Sequence, residues 1–329
     1  MARSTARAAG VGRLLRCSIR RCCSRSADHT RRPCNRAPAC QPRGVESFTR
    51  AGLHFDVTDV GPDLPGAPTV LCLHGFPQDR SAFDDVAHRL AGRGVRVLAP
   101  DQRGYSPGAR PRGRRAYALT ELVADAVALL DAAGAQRAHV VGHDWGGVVA
   151  WALAAWHPDR VASLTALSQA HPAAMDAAVR RSTQGLRSWY VAAFQVPLLP
   201  ELVLSRPGAL ERLLVRSELP EHLARRYAER AVHGGVRDGR LAAGIGWYRA
   251  LPLAGRPVGR VTVPVTYLHG WRDPFYAPAS VLGTSDRVDG PFERRTLDTG
   301  HWVPEQEPGA VVEAVLDHVA AGASGGAEH

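Results

Sequence analysis

The chain has 329 residues, 45% of them apolar, and a formal net charge of +10. That is room for one large α/β domain with an insertion and for a sizeable core, while no run approaches the ~18 apolar residues of a membrane span. The charge resembles a nucleic-acid signature until it is located: residues 1–43 carry 11 Arg and a single acid, Asp28, and the remainder carries 30 Arg and 30 acids.

All 41 basic residues are Arg and none is Lys, which points to a GC-rich coding bias and not to a binding surface. Residues 1–44 read as a basic extension holding Cys17, Cys22, Cys23, Cys34 and Cys40, with only Cys72 elsewhere. The five contain no C-x₂-C pair, so they suggest no zinc site. The segment has too few apolar residues for a disulfide-stapled core or a secretory signal. Its Arg- and Ser-rich, acid-poor composition is that of an organellar transit peptide, but the coding bias is bacterial. It is expected to be disordered and is assigned no function.

From Val45 onward strands and helices alternate, the mark of a mostly parallel sheet flanked by helices. Glu46–Arg50 and Leu53–Val60 read as an opening hairpin, followed by strands at Thr69–Leu73 and Val95–Ala99 with helical spacing over Ser81–Ala91 between them. A helix over Leu119–Ala133 precedes a strand at His139–Val141. A helix over Gly146–Trp156 and a buried strand at Val161–Leu167 complete a first half, residues 45–170. Residues 171–253 then show helical periodicity and no convincing strand, as expected for a helical lid. A second half, 254–321, resumes with strands at Val263–His269 and Phe292–Leu297 and a helix over Pro308–Ala321. Residues 322–329 read as a frayed tail.

Chemistry enters at Val141-Gly142-His143-Asp144-Trp145-Gly146-Gly147. Gly-x-Ser-x-Gly after an apolar strand is a nucleophile elbow, a tight strand-to-helix turn that exposes its central side chain. Here Gly142 and Gly146 keep the turn's small residues and Asp144 takes the centre. A carboxylate there attacks carbon and forms an alkyl-enzyme ester. Electrophilic sp³ carbon is therefore the expected target, and not an ester or amide.

Four segments in order, His74-Gly75-Phe76-Pro77, Asp101-Gln102-Arg103-Gly104-Tyr105-Ser106, Gly142–Gly147 and Gly300-His301-Trp302, resemble the α/β-hydrolase fold and, within it, the epoxide hydrolases. The resemblance spans residues 46–320. It implies triad order nucleophile, acid, histidine, which assigns Asp144, Asp273 after the Val263–His269 strand, and His301. Asp298 is the weaker alternative acid. It also implies an oxyanion hole from the backbone N–H groups of Phe76 and Trp145, and two lid tyrosines, Tyr190 and Tyr248, that donate to the opening oxide. His74, His143 and Asp101-Gln102-Arg103 are read as braces of the surrounding loops, since no metal-binding histidine spacing is present. The segment after Pro77 lacks tryptophans often found there in the family, which leaves the pocket shape open.

The resemblance implies an epoxide hydrolase (a hydrolase acting on ether bonds) that needs no metal or organic cofactor. Its expected partners are a small hydrophobic epoxide and water, with no nucleic acid and no membrane; a homodimer is compatible with the sequence, and a cytoplasmic location is expected. A haloalkane dehalogenase is the alternative, with Trp145 and Trp189 as halide donors. A hydrolase-fold ligand receptor would lack a triad member, and none is missing. DNA binding through residues 1–43 would be lost on their deletion.

Overall fold

The computed structural model describes residues 44–237, 239–253 and 255–325, so the expectations for the basic extension and its five cysteines lie outside the described residues. Eight strands form one sheet: β1 (Ser47–Arg50), β2 (Leu53–Val60), β3 (Thr69–Leu73), β4 (Arg96–Pro100), β5 (Ala138–His143), β6 (Val161–Leu167), β7 (Val265–Gly270) and β8 (Phe292–Leu297). Their spatial order is β1-β2-β4-β3-β5-β6-β7-β8. The β1–β2 and β2–β4 pairs are antiparallel and the others parallel. The opening hairpin is as expected, with the Phe48 and Phe55 rings stacked 4.6 Å apart across it. β4 begins one residue later than the alternation suggests, because the Val95 N–H still closes on Leu90 O at the end of the preceding helix.

Helices α1 (Asp84–Ala91), α2 (Leu119–Ala132) and α3 (Trp145–Trp156) flank the first half. Between β6 and β7 come seven in succession: α4 (Pro172–Arg181), α5 (Gln184–Arg187), α6 (Trp189–Ala193), α7 (Leu199–Leu204), α8 (Ala209–Arg216), α9 (Glu221–Val232) and α10 (Arg240–Ala250). No strand interrupts them among the described residues, as the periodicity predicts. α11 (Pro278–Leu282) and α12 (Val303–Gln306) are short helices that the pattern did not announce; each has proline in its first turn, where a missing N–H costs nothing. α13 runs from Pro308 to Gly325, so residues 322–325 continue the helix, and the rest of the expected frayed tail, 326–329, lies outside the described residues. The run after Ala320 is mostly Ala and Gly without proline, and a Gly inside a helix costs only about 1 kcal/mol. No described helix is long and apolar enough to cross a membrane.

β4, β3 and β5, neighbours in that order in the sheet, hold a buried stretch of the core. β4 is buried along its whole length, and Val70, Leu71, Val140 and Val141 are essentially inaccessible. Buried parallel strands carry continuous apolar runs, and these rows feed the loops at the strands' C-terminal ends. Such crevices are where open α/β sheets place their ligands.

The helical insertion is fastened to the core by buried ions. The Asp79 carboxylate receives Arg230 of α9 at 2.8 Å and Arg240 of α10 at 2.7 Å. Within the insertion, Arg249 of α10 makes a two-toothed contact with Glu201 of α7 and also donates to the carbonyls of Phe194 and Val196. The Trp247 indole donates to Arg103 O at 2.9 Å. Arg103 is in turn held by Asp125 at 2.7 and 2.8 Å, so Asp101-Gln102-Arg103 is a structural turn as expected.

Candidate active site

Asp144 stands between β5 and α3 with φ +51° and ψ −121°, a strained conformation for a side chain of its kind. The turn is possible because its neighbours are glycine: a Cβ on Gly146 would sit 2.0 Å from Leu73 O, and one on Gly75 would sit 2.5 Å from the Asp144 Cβ. Asp144 Oδ1 accepts the Phe76 N–H at 2.8 Å. Its Oδ2 lies 3.6 Å from His301 Nε2, and His301 Nδ1 lies 2.7 Å from Asp273 Oδ2. The three predicted triad residues therefore meet. Asp273 is oriented by the Phe275 N–H, which donates to its other oxygen at 2.8 Å. Asp298, the alternative acid, faces Arg272 and the Trp271 indole instead.

Burial opposes charge on His301, but the Asp273 and Asp144 carboxylates outweigh it and raise the ring's pKa to about 10. Burial likewise pushes the Asp144 carboxyl up, yet the His301 contact and charge, with the Phe76 N–H, bring it below the usual carboxylate range. The resting state is an ion pair. Because the folded pKa of His301 exceeds its ordinary 6.5, this stabilisation is complete below about pH 6.5 and lost as pH rises through about 10. Thermal unfolding across that window should show a loss on the order of a few kcal/mol, with a shallower slope in Asp144→Asn, where one carboxylate is gone. Equal slopes in both proteins would mean that Asp144 does not carry the pairing.

His74 and His143 brace the loops, as predicted. His74 Nε2 accepts the Gln102 N–H at 3.1 Å while Nδ1 donates to Gly75 O at 2.9 Å. His143 bridges Gln78 Oε1 and the His301 carbonyl. Ring nitrogens committed in this way are not offered to a metal.

Tyr190 on α6 and Tyr248 on α10 come together above Asp144, their ring centres 6.0 Å apart. Tyr248 also packs edge-on against Trp145 at 5.0 Å and Phe76 at 5.4 Å. The Trp145 side chain works against the rise of the Tyr248 phenol's pKa. Burial first, and the Asp144 charge second, hold both phenols above their ordinary pKa. The tyrosines, Asp144 and His301 line one cavity of about 670 Å³ walled mainly by leucine, valine and aromatic side chains. Trp189 lies at its rim with 69% exposure.

The family model described as alpha/beta hydrolase fold matches residues 68–308. Epoxide hydrolase A of Mycobacterium tuberculosis is 32% identical over 308 residues, covering 81% of this chain and 94% of that protein. The chain belongs to the epoxide hydrolase branch of the α/β-hydrolase family. The AB hydrolase superfamily protein YfhM of Bacillus subtilis is 31% identical over 258 residues, covering 77% of this chain and 90% of that one. Among solved structures, epoxide hydrolase A of Mycobacterium thermoresistibile superimposes with a TM-score of 0.66 at 27% identity, over 83% of this chain and 97% of that one.

Several residues of this epoxide hydrolase family member reach the site without a sequence signal of their own. The Phe275 ring packs edge-on against His301 at 4.8 Å, and the Tyr276 ring stacks 6.1 Å from it with its hydroxyl on Gln169. Their place directly after Asp273-Pro274 was the available clue. Phe194 sits between Tyr190 and Tyr248, 5.8 Å and 4.8 Å from them. Gln78 and Glu305 meet at 2.7 Å from 227 residues apart, which no local pattern announces.

Proposed function

We propose that this protein hydrolyses epoxides to vicinal diols through a covalent ester on Asp144, with residues 171–253 acting as the lid that supplies Tyr190 and Tyr248. The observation that carries the reading is a carboxylate at the elbow, ion-paired to a histidine and roofed by two phenols in an apolar cavity. In the first step an Asp144 oxygen attacks an epoxide carbon, the ring C–O bond breaks, and a tyrosine gives its proton to the resulting alkoxide. Esterification removes the Asp144 charge. The two phenols, raised in part by that charge, become better acids as the alkoxide forms.

The same loss of charge lowers the basicity of His301, which releases its proton and replenishes the tyrosinate. In the second step neutral His301 takes a proton from water, oriented by Asp273, and the hydroxide attacks the ester carbonyl. The N–H groups of Phe76 and Trp145 hold the tetrahedral oxyanion. Collapse expels the diol oxygen, which takes the new carboxyl's proton, and the ion pair between His301 and Asp144 is restored. The partners are a hydrophobic epoxide and water, and no step draws on a metal or organic cofactor.

Dehalogenation uses the same triad but needs two N–H donors for halide. The Trp145 indole packs edge-on against Tyr248, the Phe76 side chain has no N–H, and Trp189 is largely exposed. A panel of terminal, trans-disubstituted and aromatic epoxides run beside bromoalkanes separates the readings. Diol formation should dominate and persist after exhaustive chelation; halide release exceeding it across the panel would reverse the assignment.

A further inference from the structure

Beneath the His301 turn lies a half-buried acid, one carboxylate oxygen enclosed, that the two-step reaction does not use. Glu305 Oε1 accepts the Gln78 amide at 2.7 Å and the Tyr227 hydroxyl at 2.9 Å, while Oε2 is buried with no hydrogen-bond partner. Gln78 is fully buried, and its carbonyl oxygen takes the Gly75 N–H at 2.8 Å and faces His143 Nδ1 at 2.7 Å. His143 Nε2 in turn meets the His301 carbonyl at 2.9 Å, and the two imidazole rings are 4.8 Å apart. A continuous chain therefore runs from Glu305 through Gln78 and His143 to the catalytic turn.

The chain's polarity asks for a negative charge at its far end. Both His143 nitrogens face oxygen atoms that only accept, and a neutral imidazole can donate to one of them. Negative charge at Glu305 strengthens the pull on the Gln78 amide protons and so the polarisation of its carbonyl toward His143. Burial raises the Glu305 carboxyl to about 7, against the Gln78 and Tyr227 donors and the His301 charge, which lower it. Its ionisation thus falls near neutral pH. The other charged groups around the chain are Arg226 beside Tyr227, and Asp144 and His74 beside His143.

We propose that Glu305 is a positioning residue whose ionisation, acting through Gln78 and His143, raises the basicity of His301 during ester hydrolysis. The proposal rests on the ester mechanism above. Glu305→Gln keeps an oxygen for both donors but cannot ionise. In single-turnover experiments it should form the ester at the wild-type rate, within about two-fold, while the acid limb of ester hydrolysis moves to lower pH by about half a unit or more. Tyr227→Phe, which removes a donor from the carboxylate and so disfavours its charge, should move the limb the same way by less. An unmoved limb in Glu305→Gln, or in Tyr227→Phe should the first variant not fold, would reduce Glu305 to packing and overturn the proposal. Solvent ¹⁸O in the diol of the first wild-type turnover would instead remove the ester mechanism on which it rests.

Discussion

Replacing His301 by Gln is expected to spare ester formation and stop its breakdown, so that the variant accumulates one substrate per chain. The expectation follows from geometry: His301 lies 3.6 Å from the Asp144 carboxylate and is held on its other side by Asp273 at 2.7 Å, which suits a base for the second step and not a group that attacks carbon. Intact mass should rise by the mass of the unmodified epoxide, and steady-state turnover should fall to the background of spontaneous ester hydrolysis. A companion measurement uses one wild-type turnover in ¹⁸O-water. The new diol oxygen should come from Asp144, with the label entering the protein. Label in the first-turnover diol would mean that water attacks carbon directly and Asp144 is a general base.

Tyr190→Phe and Tyr248→Phe should each slow alkylation by about 10²-fold, comparable to the loss of one oxyanion donor, and the double substitution should be far worse than either. Either phenol can serve alone at a cost, because both face the same cavity and both feel the Asp144 charge. With neither, the alkoxide has no acid above it. Ester hydrolysis should be little affected, since the tyrosines act before it. Two single variants with unchanged alkylation would leave the phenols as packing residues, a role their edge-on contacts with Phe194 could support.

What the chain announces in advance follows the range of the forces involved. The elbow is local: a strand, two glycines and one central side chain within a few residues, so Asp144 is legible from composition and spacing. Asp273 and His301 follow from order, because each ends or follows a strand whose apolar run is visible. The tyrosines carry no such mark, and only resemblance singled them out. Phe275, Gln78 and Glu305 reach the site through tertiary packing, where contact is set by how loops stack and not by what adjoins them in sequence. The helix over residues 322–325 was not legible for a different reason: a Gly- and Ala-rich stretch reads as loose, yet nothing in it actively breaks a helix.

The buried carboxylate of Asp79 has a mechanical meaning for a roof that must admit substrate. Lifting α9 would cost that charge its half-exposed Arg230 partner, and lifting α10 its mostly buried Arg240 partner, the second on the order of 3–5 kcal/mol. Those helices, and Tyr248 with them, behave as a fixed jamb. α5 is pinned as well, its Gln184 bonded to the backbone of Phe275 and Ala277. Between these moorings lie α6, α7 and α8, and although Glu201 ties α7 to Arg249, its Leu199 and Val203 and the Leu213 of α8 both line the cavity and face outward. Epoxide and diol are expected to pass over this threshold, so side-chain size there should govern how quickly the doorway is crossed while leaving the chemistry beneath it untouched.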